Sequence, residues 1–398
     1  MTMTAPKIDL HASENGNFEE LYAHYSRLRE KPVFYLEEMN HYLIGRHADV
    51  VFALKRPDLF ASGSSFISQP GWMREECKRN WYILAQDDPD HEKHRKLINK
   101  AFVGKVINAY IPFLNEKMTA LVEMVRREGT VDFVNDFAFA YVGPLINRIV
   151  GTEKTDWKRL RNDLAIREAV GVEELPADEK ARIEEVLLRQ TRDFDELIES
   201  RRKNPRDDLV TLFAHAEVDG KPLSRIDLLS AIDLLFGAGF ETTAQTLSHA
   251  MIYLSERPDL HELLRRDKAL IPDFVEELLR ISGPSHFLPR KTTAPVEIHG
   301  TVIPADTQVL VGLGPANHDP DVFPEPEKFI LGRKNVKQHV AFGHGLHICI
   351  GAALARLELR IALEHLVEFS RIECPPEGVV WSRTIITHAI KELTVSFQ

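Results

Sequence analysis

The sequence predicts a mostly α-helical chain with a small β region, folded as a single domain over residues 1–398. Three observations predict this. Charged stretches near 107–127, 178–202, 258–282 and 351–370 repeat their apolar residues at the spacing of one helix face. An apolar stretch opening at Ser224 runs without proline to Ser255. Only residues 32–45, 294–313 and 393–397 carry the short β-branched runs and turn residues of strands.

In chain order, PVFYLEEMNHYLIG at 32–45 reads as a hairpin. The one linker-like stretch, Lys203 to Asp208, is too short to divide the chain into domains. Ser224 and Asp227 form a capping box before LLSAIDLLF, and the helix they open stops before Pro258. Residues 224–255, at about 1.5 Å each, give a helix on the order of 48 Å long, which must pass through the middle of the molecule. Residues 294–313 break into short strands at His299-Gly300 and Pro304, and 393–397 forms a last strand.

Composition narrows the function classes. Sixty acidic against fifty basic side chains leave a net charge of −10, which argues against nucleic-acid binding. No run reaches the roughly 18 apolar residues of a membrane-spanning helix, and the first thirty residues hold no apolar leader. The three cysteines, Cys77, Cys349 and Cys374, are too few and too scattered for a disulfide framework, so a reducing cytoplasm is expected.

The stretch FGHGLHICIG at 342–351 sets three glycines and two histidines around Cys349. Each glycine costs about 0.5–1 kcal/mol of chain entropy relative to alanine. Three in ten residues therefore imply a backbone at positive φ or one lying close against something flat. A helix opening at Cys349 follows, which places the thiol at its N-terminus, where thiol pKa values fall from about 8.5 toward 3.5–7.5. A thiolate there suits the axial position of a haem iron. A lone cysteine near a helix start is more often a small buried hydrophobe.

The spacing F-G-x-G-x-H-x-C-x-G decides between these readings, because the loop resembles the haem-binding loop of the cytochrome P-450 haem-thiolate monooxygenases at every fixed position. The resemblance implies haem b with Cys349 as axial thiolate and iron ligand. It also implies His347 at a propionate, Phe342 near the sulfur, and Gly351 in the cofactor loop. Upstream, Ala238-Gly239-Phe240-Glu241-Thr242 resembles the family's helix pattern on the distal side, where the hydroxyl interrupts the helical hydrogen-bond ladder. Glu241 and Thr242 would then be the catalytic acid–alcohol pair that delivers protons. Glu277 and Arg280 resemble the family's buried Glu-x-x-Arg pair, and Arg333, in F-x-x-P-x-x-F-x-x-x-R from Phe323, its third partner; these support the fold. Spacing alone does not single them out, since Glu123/Arg126, Glu199/Arg202 and Glu262/Arg265 repeat it and read as solvated faces. His91 and Arg95 resemble one propionate-binding pair and Arg290 the other clamp. These matches keep the family's order over about residues 86–355. They imply a cytochrome P-450-like fold with haem between the long helix and the cysteine loop.

The resemblance further implies a monomeric enzyme that takes electrons from a ferredoxin or flavodoxin and its reductase. Lys93, Lys96, Lys100, Lys334, Lys337 and Arg356 fall in segments the family places near that docking surface. Substrate-pocket candidates are Phe66, Trp72, Trp81, Leu235, Phe236, His286, Phe287, Leu288, Ile385 and Ile386, which suit an apolar small molecule; the acidic stretch 168–185 reads as part of a lid. The expected reaction is insertion of one atom of dioxygen, by hydroxylation or epoxidation, in secondary metabolism. The alternatives are a peroxide-using or non-hydroxylating oxidase of the same family, a haem sensor, a zinc hydrolase using His339, His344, His347 and Cys349, and a cysteine hydrolase pairing Cys349 with His347. The zinc reading lacks the paired ligand spacings of such sites. The cysteine reading lacks a third, orienting group.

Overall fold

The structure is a computed structural model of the chain and describes residues 18–63, 72–77, 80, 82–152, 156–167, 175–382 and 387–398. These gather into two compact units. One is made of Met1–Ser65, Ala109–Val142 and Glu241–Gln398, the other of Phe66–Asn108 and Gly143–Phe240.

The first unit holds the β region. The hairpin forms as read: Val33–Leu36 pairs antiparallel with His41–Ile44, and Asn40 turns between them at φ 54°. His41–Ile44 then lies parallel to Gln308–Gly312, which runs antiparallel to Phe287–Thr292. Val33, Ile44, Val309 and Val311 point to one face and pack with Val50, Ala53 and Leu54 of the helix His47–Lys55. Each such side chain contributes about 1.5–3 kcal/mol on burial. Residues 294–303 form a separate hairpin, Val296–Ile298 with Thr301–Ile303, turned by His299 and Gly300 at positive φ. The last strand is longer than expected, Ile390–Phe397, because Val379–Trp381, Ile372–Glu373 and Thr130–Asp132 pair along its length.

The helices of this unit include Ile111–Glu128, Pro258–Arg266, Ile271–Ser282 and Ala352–Leu366. The single helical stretch expected at 258–282 is thus two helices. Asp267 breaks it by accepting the Ala269 amide at 3.0 Å, and Pro272, lacking an N–H, fits only the first turn of the second helix. Four histidines, His249, His286, His318 and His388, lie buried together in this unit. Ring centroids are 4.8 Å apart for His249–His388 and 5.0 Å for His286–His388. Trp381 stacks flat on His388 at 4.3 Å, and Tyr25 links His286 to His318 at 5.5 and 5.1 Å.

The second unit contains Asp90–Asn99, Trp157–Arg167, Ala177–Lys203 and Leu209–Ala214. The linker-like residues 203–208 join two helices of this one unit. Buried Arg201 donates to Asp208 at 2.5 Å and to the Gly151 carbonyl at 2.8 Å, and Asp208 also caps the next helix through the Thr211 amide. The long helix is Arg225–Glu256, 32 residues, one residue offset from expectation. The Asp227 amide donates to Ser224 Oγ at 3.2 Å, the serine half of the expected capping box, while the Asp227 carboxylate accepts the Ser224 hydroxyl at 2.5 Å rather than its backbone N–H. The boundary between the units falls inside this helix, after Phe240. Among the described residues no helix is long and apolar enough to cross a membrane.

Candidate cofactor site

The cysteine turn is built by its glycines. Gly343 and Gly345 take φ of +70° and +71°, a region that L side chains rarely adopt. A Cβ at Gly345 would also run into the Leu54 backbone. The Gly343 amide donates to the Val340 carbonyl at 2.8 Å and the Cys349 amide to the Phe342 carbonyl at 2.9 Å, so Phe342 and Cys349 face each other across a closed turn. The helix after it starts at Ala352, with Gly351 as its cap at an ordinary φ of −83°. Cys349 therefore sits in the turn ahead of the cap and not in the first helical turn, a correction to the sequence reading. Its amide is spent on Phe342, and the Ala352 amide only folds back to the Cys349 carbonyl at 3.4 Å. A Cβ at Gly351 would make only an ordinary contact with the Cys349 sulfur, at 3.9 Å. Cys349 is exposed although Val340 and Leu354 on either side are buried.

A buried ionic network anchors this turn. Glu277, Arg280 and Arg333 are all buried. Arg280 grips Glu277 through two bonds of 2.8 and 2.9 Å, and Arg333 Nε shares both carboxylate oxygens at 3.0 and 3.1 Å. The remaining guanidinium donors go to carbonyls: Arg280 to Asn317 and Pro326, Arg333 to Pro324 and Lys328. Asn317 Oδ1 in turn accepts the Val340 amide at 2.7 Å, two residues before Phe342. The other Glu-x-x-Arg spacings behave as expected of surface pairs: Glu199/Arg202 and Glu262/Arg265 bond in the open.

At the centre of the long helix Glu241 and Thr242 are half-buried, while every residue from Thr243 to Ala250 is buried. The helix Arg225–Glu256 continues as one element through this point. Thr246 and Ser248 back-bond to the carbonyls of Thr242 and Ala244, each at 2.9 Å. Gly239 is a packing glycine, with room for no Cβ because Ile146 Cδ1 would be 2.7 Å away. Two partners escaped the sequence reading. Thr243 hydrogen-bonds the carboxyl of Glu358, and burial pushes that carboxyl well above the usual carboxylate range despite this bond. Tyr141 donates to the Glu358 carbonyl at 3.1 Å.

Arg290 is buried on its strand beside Val309 and donates to the Pro289 carbonyl at 2.7 Å. His347 ends the short turn Gly345–His347 and is half-buried. In the second unit His91 is buried, not part of an exposed basic helix start. Burial, then the Arg95 charge, lowers its pKa, with Asp88 opposing. Of the pocket candidates, Phe66, Trp81, Ile385 and Ile386 lie outside the described residues. Leu235 is buried and Phe236 stacks on Phe240 at 5.2 Å. Trp72 packs on the Met73, Cys77, Ile183 and Leu187 cluster. His286 belongs to the histidine stack, Phe287 is buried, and Leu288 packs against the sheet core.

The donor set fits haem. An exposed soft sulfur sits on a turn built by two glycines at positive φ, and Arg290 and His347 supply a cation and an N–H donor of the kind carboxylates need. Zinc fits less well: among the described residues no three His, Cys, Asp or Glu side chains converge to hold a metal ion. His339 is committed elsewhere, with Nε2 on Glu276 at 3.1 Å. Fold and site together define a haem-thiolate protein. Residues 177–390 match the cytochrome P450 family model. Cytochrome P450 107B1 of Saccharopolyspora erythraea is 31% identical over 97% of both chains. The vitamin D(3) 25-hydroxylase of Pseudonocardia autotrophica is 32% identical over 92% of this chain and 90% of that one. Among solved structures, P450BioI in complex with hexadec-9Z-enoic acid ligated acyl carrier protein superposes with a TM-score of 0.88 at 26% identity, over 97% of this chain and 100% of that one. CYP109Q5 from Chondromyces apiculatus gives 0.85 at 29%, over 96% of each. The chain belongs to the cytochrome P450 family. It is a P450 monooxygenase that binds haem b through an axial cysteine thiolate.

Proposed function

We propose that Cys349 is that thiolate and that the enzyme hydroxylates or epoxidises an apolar small molecule of secondary metabolism. The observation that carries this reading is the exposed cysteine on a glycine-cleared turn, tied to Phe342 and anchored through Asn317 to the Glu277 network. Haem bound there supplies dioxygen activation by two successive one-electron reductions. One oxygen atom enters the substrate and the other leaves as water, with two protons consumed. Arg290 and His347 would hold a propionate, because a buried carboxylate left unpaired costs several kcal/mol. Glu241 exchanges protons with solvent and the Thr242 hydroxyl holds the water that passes them inward. An apolar substrate agrees with a relative named for vitamin D(3) and with a neighbour, CYP109E1 from Bacillus megaterium, solved with corticosterone. The reduced carbonyl complex of the purified enzyme is expected to show the red-shifted Soret band of haem-thiolate proteins, and Cys349→Ala to lose it. Retention of that band in the variant would overturn the assignment.

Electrons come, in this reading, from a ferredoxin or flavodoxin and its reductase in the cytoplasm. Of the six docking candidates, Lys93 pairs with Asp219, Lys96 with Glu92 at 2.7 Å, and Arg356 with Glu276. Exposed Lys334 and Lys337 of the first unit remain the better docking cations. Each contact is worth about 0–1 kcal/mol, but together they steer association. Transfer of the first electron should slow as salt rises, because the Debye length contracts from about 10 Å at 0.1 M to 3 Å at 1 M. A rate indifferent to salt counts against this docking face.

A further inference from the structure

We propose that Glu276 and Arg356 are positioning residues that set the reduction potential of the haem iron, acting through Phe342 on the turn that carries Cys349. This rests on Cys349 being the axial ligand. Glu276 stands beside Glu277 but turns its carboxylate to a different segment. Arg356 grips it through two bonds, Nε to Oε1 at 2.5 Å and Nη2 to Oε2 at 2.9 Å. The same guanidinium lies over the Phe342 ring, 4.5 Å from its centroid, a cation–π contact. The Phe342 carbonyl holds the Cys349 amide at 2.9 Å. One charged pair therefore leans on the residue directly bonded to the cysteine.

His339 completes the arrangement. The Ala341 amide donates to its Nδ1 at 3.2 Å, so the ring keeps its proton on Nε2 and donates to Glu276 Oε2 at 3.1 Å. Burial pushes the Glu276 carboxyl up, but the bonds from Arg356 and His339 outweigh it and hold the group at about 2. The pair is thus ionised and nearly neutral in sum. The Glu276 side chain is 13% exposed and that of Arg356 39%, so solvent screens the carboxylate little and the guanidinium partly.

The consequence for the iron has a sign. In the first reduction one electron leaves the reduced iron–sulfur or flavin donor, which is oxidised, and ferric iron becomes ferrous; no bond forms or breaks and no proton moves. Added negative charge at the iron is favoured by a nearby cation and opposed by a nearby anion. Removing one member of the pair exposes the other, so the two single changes act in opposite directions. A purely structural prop would move both the same way.

The test measures the midpoint potential of the loaded enzyme together with haem content and the reduced carbonyl spectrum. Glu276→Gln is expected to raise the potential, Arg356→Gln to lower it, and the double variant to return close to wild type. Arg356→Lys keeps the charge and is expected to stay near wild type. Single variants that shift in the same direction, or not at all, overturn the proposal. If Glu276→Gln fails to load haem, Arg356→Lys and Arg356→Gln still decide, and equal potentials in those two overturn it. A wild-type enzyme without the red-shifted carbonyl band removes the ligand reading first, and the role of the pair with it; a normal wild-type band beside unresponsive potentials removes the pair alone.

Discussion

Thr242 and Thr243 are neighbours with opposite settings. Thr242 and Glu241 are half-buried, whereas Thr243 is buried against the Glu358 carboxyl. The two hydroxyls are therefore not interchangeable. Thr242→Ala is expected to leave haem binding and fold intact while hydrogen peroxide release rises and product per electron falls by roughly tenfold or more, given the 10²–10⁴ typical of positioned proton donors. Thr243→Ala should instead lower the unfolding midpoint, because it strips the buried Glu358 carboxyl of a hydrogen bond, at a cost of about 1–3 kcal/mol. Peroxide and product measured side by side in both variants check this. Unchanged coupling in Thr242→Ala would leave that residue a packing role only. Sequence singles out Thr242 by its place after Glu241. It offers no sign of Glu358, which reads as one more charge in an amphipathic helix and becomes distinctive only when the fold brings Thr243 to it.

Among the elements, the helix Ile271–Ser282 bears two adjacent glutamates that do separate work. Glu277 holds Arg280 and Arg333 without access to water, and truncating it leaves two buried guanidinium groups uncompensated. Glu277→Ala is expected to cost about 3–5 kcal/mol and much of the haem occupancy. Glu262→Ala, at an exposed pair of the same spacing, should cost about 0–1 kcal/mol. Thermal unfolding and haem content of both variants test the difference, and equal losses would mean that the buried trio is no prop for the cysteine turn. Periodicity and caps made the long helix legible almost to the residue, because both signals are local. The break at Asp267 was hidden inside a continuous amphipathic pattern. Glu277 is legible only through its order relative to Cys349. Glu276 and Arg356 are not legible at all: their bond joins segments eighty positions apart, and Arg356 reads from sequence as a surface cation.

For the molecule as a whole, the buried histidines predict acid lability. Burial lowers the pKa of His249 to about 4 and that of His286 to about 3, and holds His318 and His388 well below their ordinary value. Arg280 and Arg29 act in the same direction at His318, and at His286 protonation is further disfavoured by the neighbouring histidines, His249 first and then His24. Unfolded histidine titrates near 6.5, so between that pH and the folded values the unfolded chain binds more protons. The stabilisation is complete above about pH 6.5 and is lost as pH falls toward 4 and 3. Each histidine gives up about 1.4 kcal/mol for every pH unit that separates its unfolded and folded titrations. Denaturant unfolding of the wild type at pH 8 and pH 5 should show this loss, and His286→Leu should reduce the difference between the two pH values. An identical difference in the variant would place the acid sensitivity elsewhere. The parallel pairing of His41–Ile44 with Gln308–Gly312 has a further consequence, in time. At synthesis rates of about 5–20 residues per second the early hairpin waits on the order of tens of seconds for its neighbouring strand. Cys349 emerges later still. Haem capture is therefore among the last events in the making of this enzyme, and a ribosome that stalls beyond the long helix leaves an exposed sheet edge with no means of taking up the cofactor.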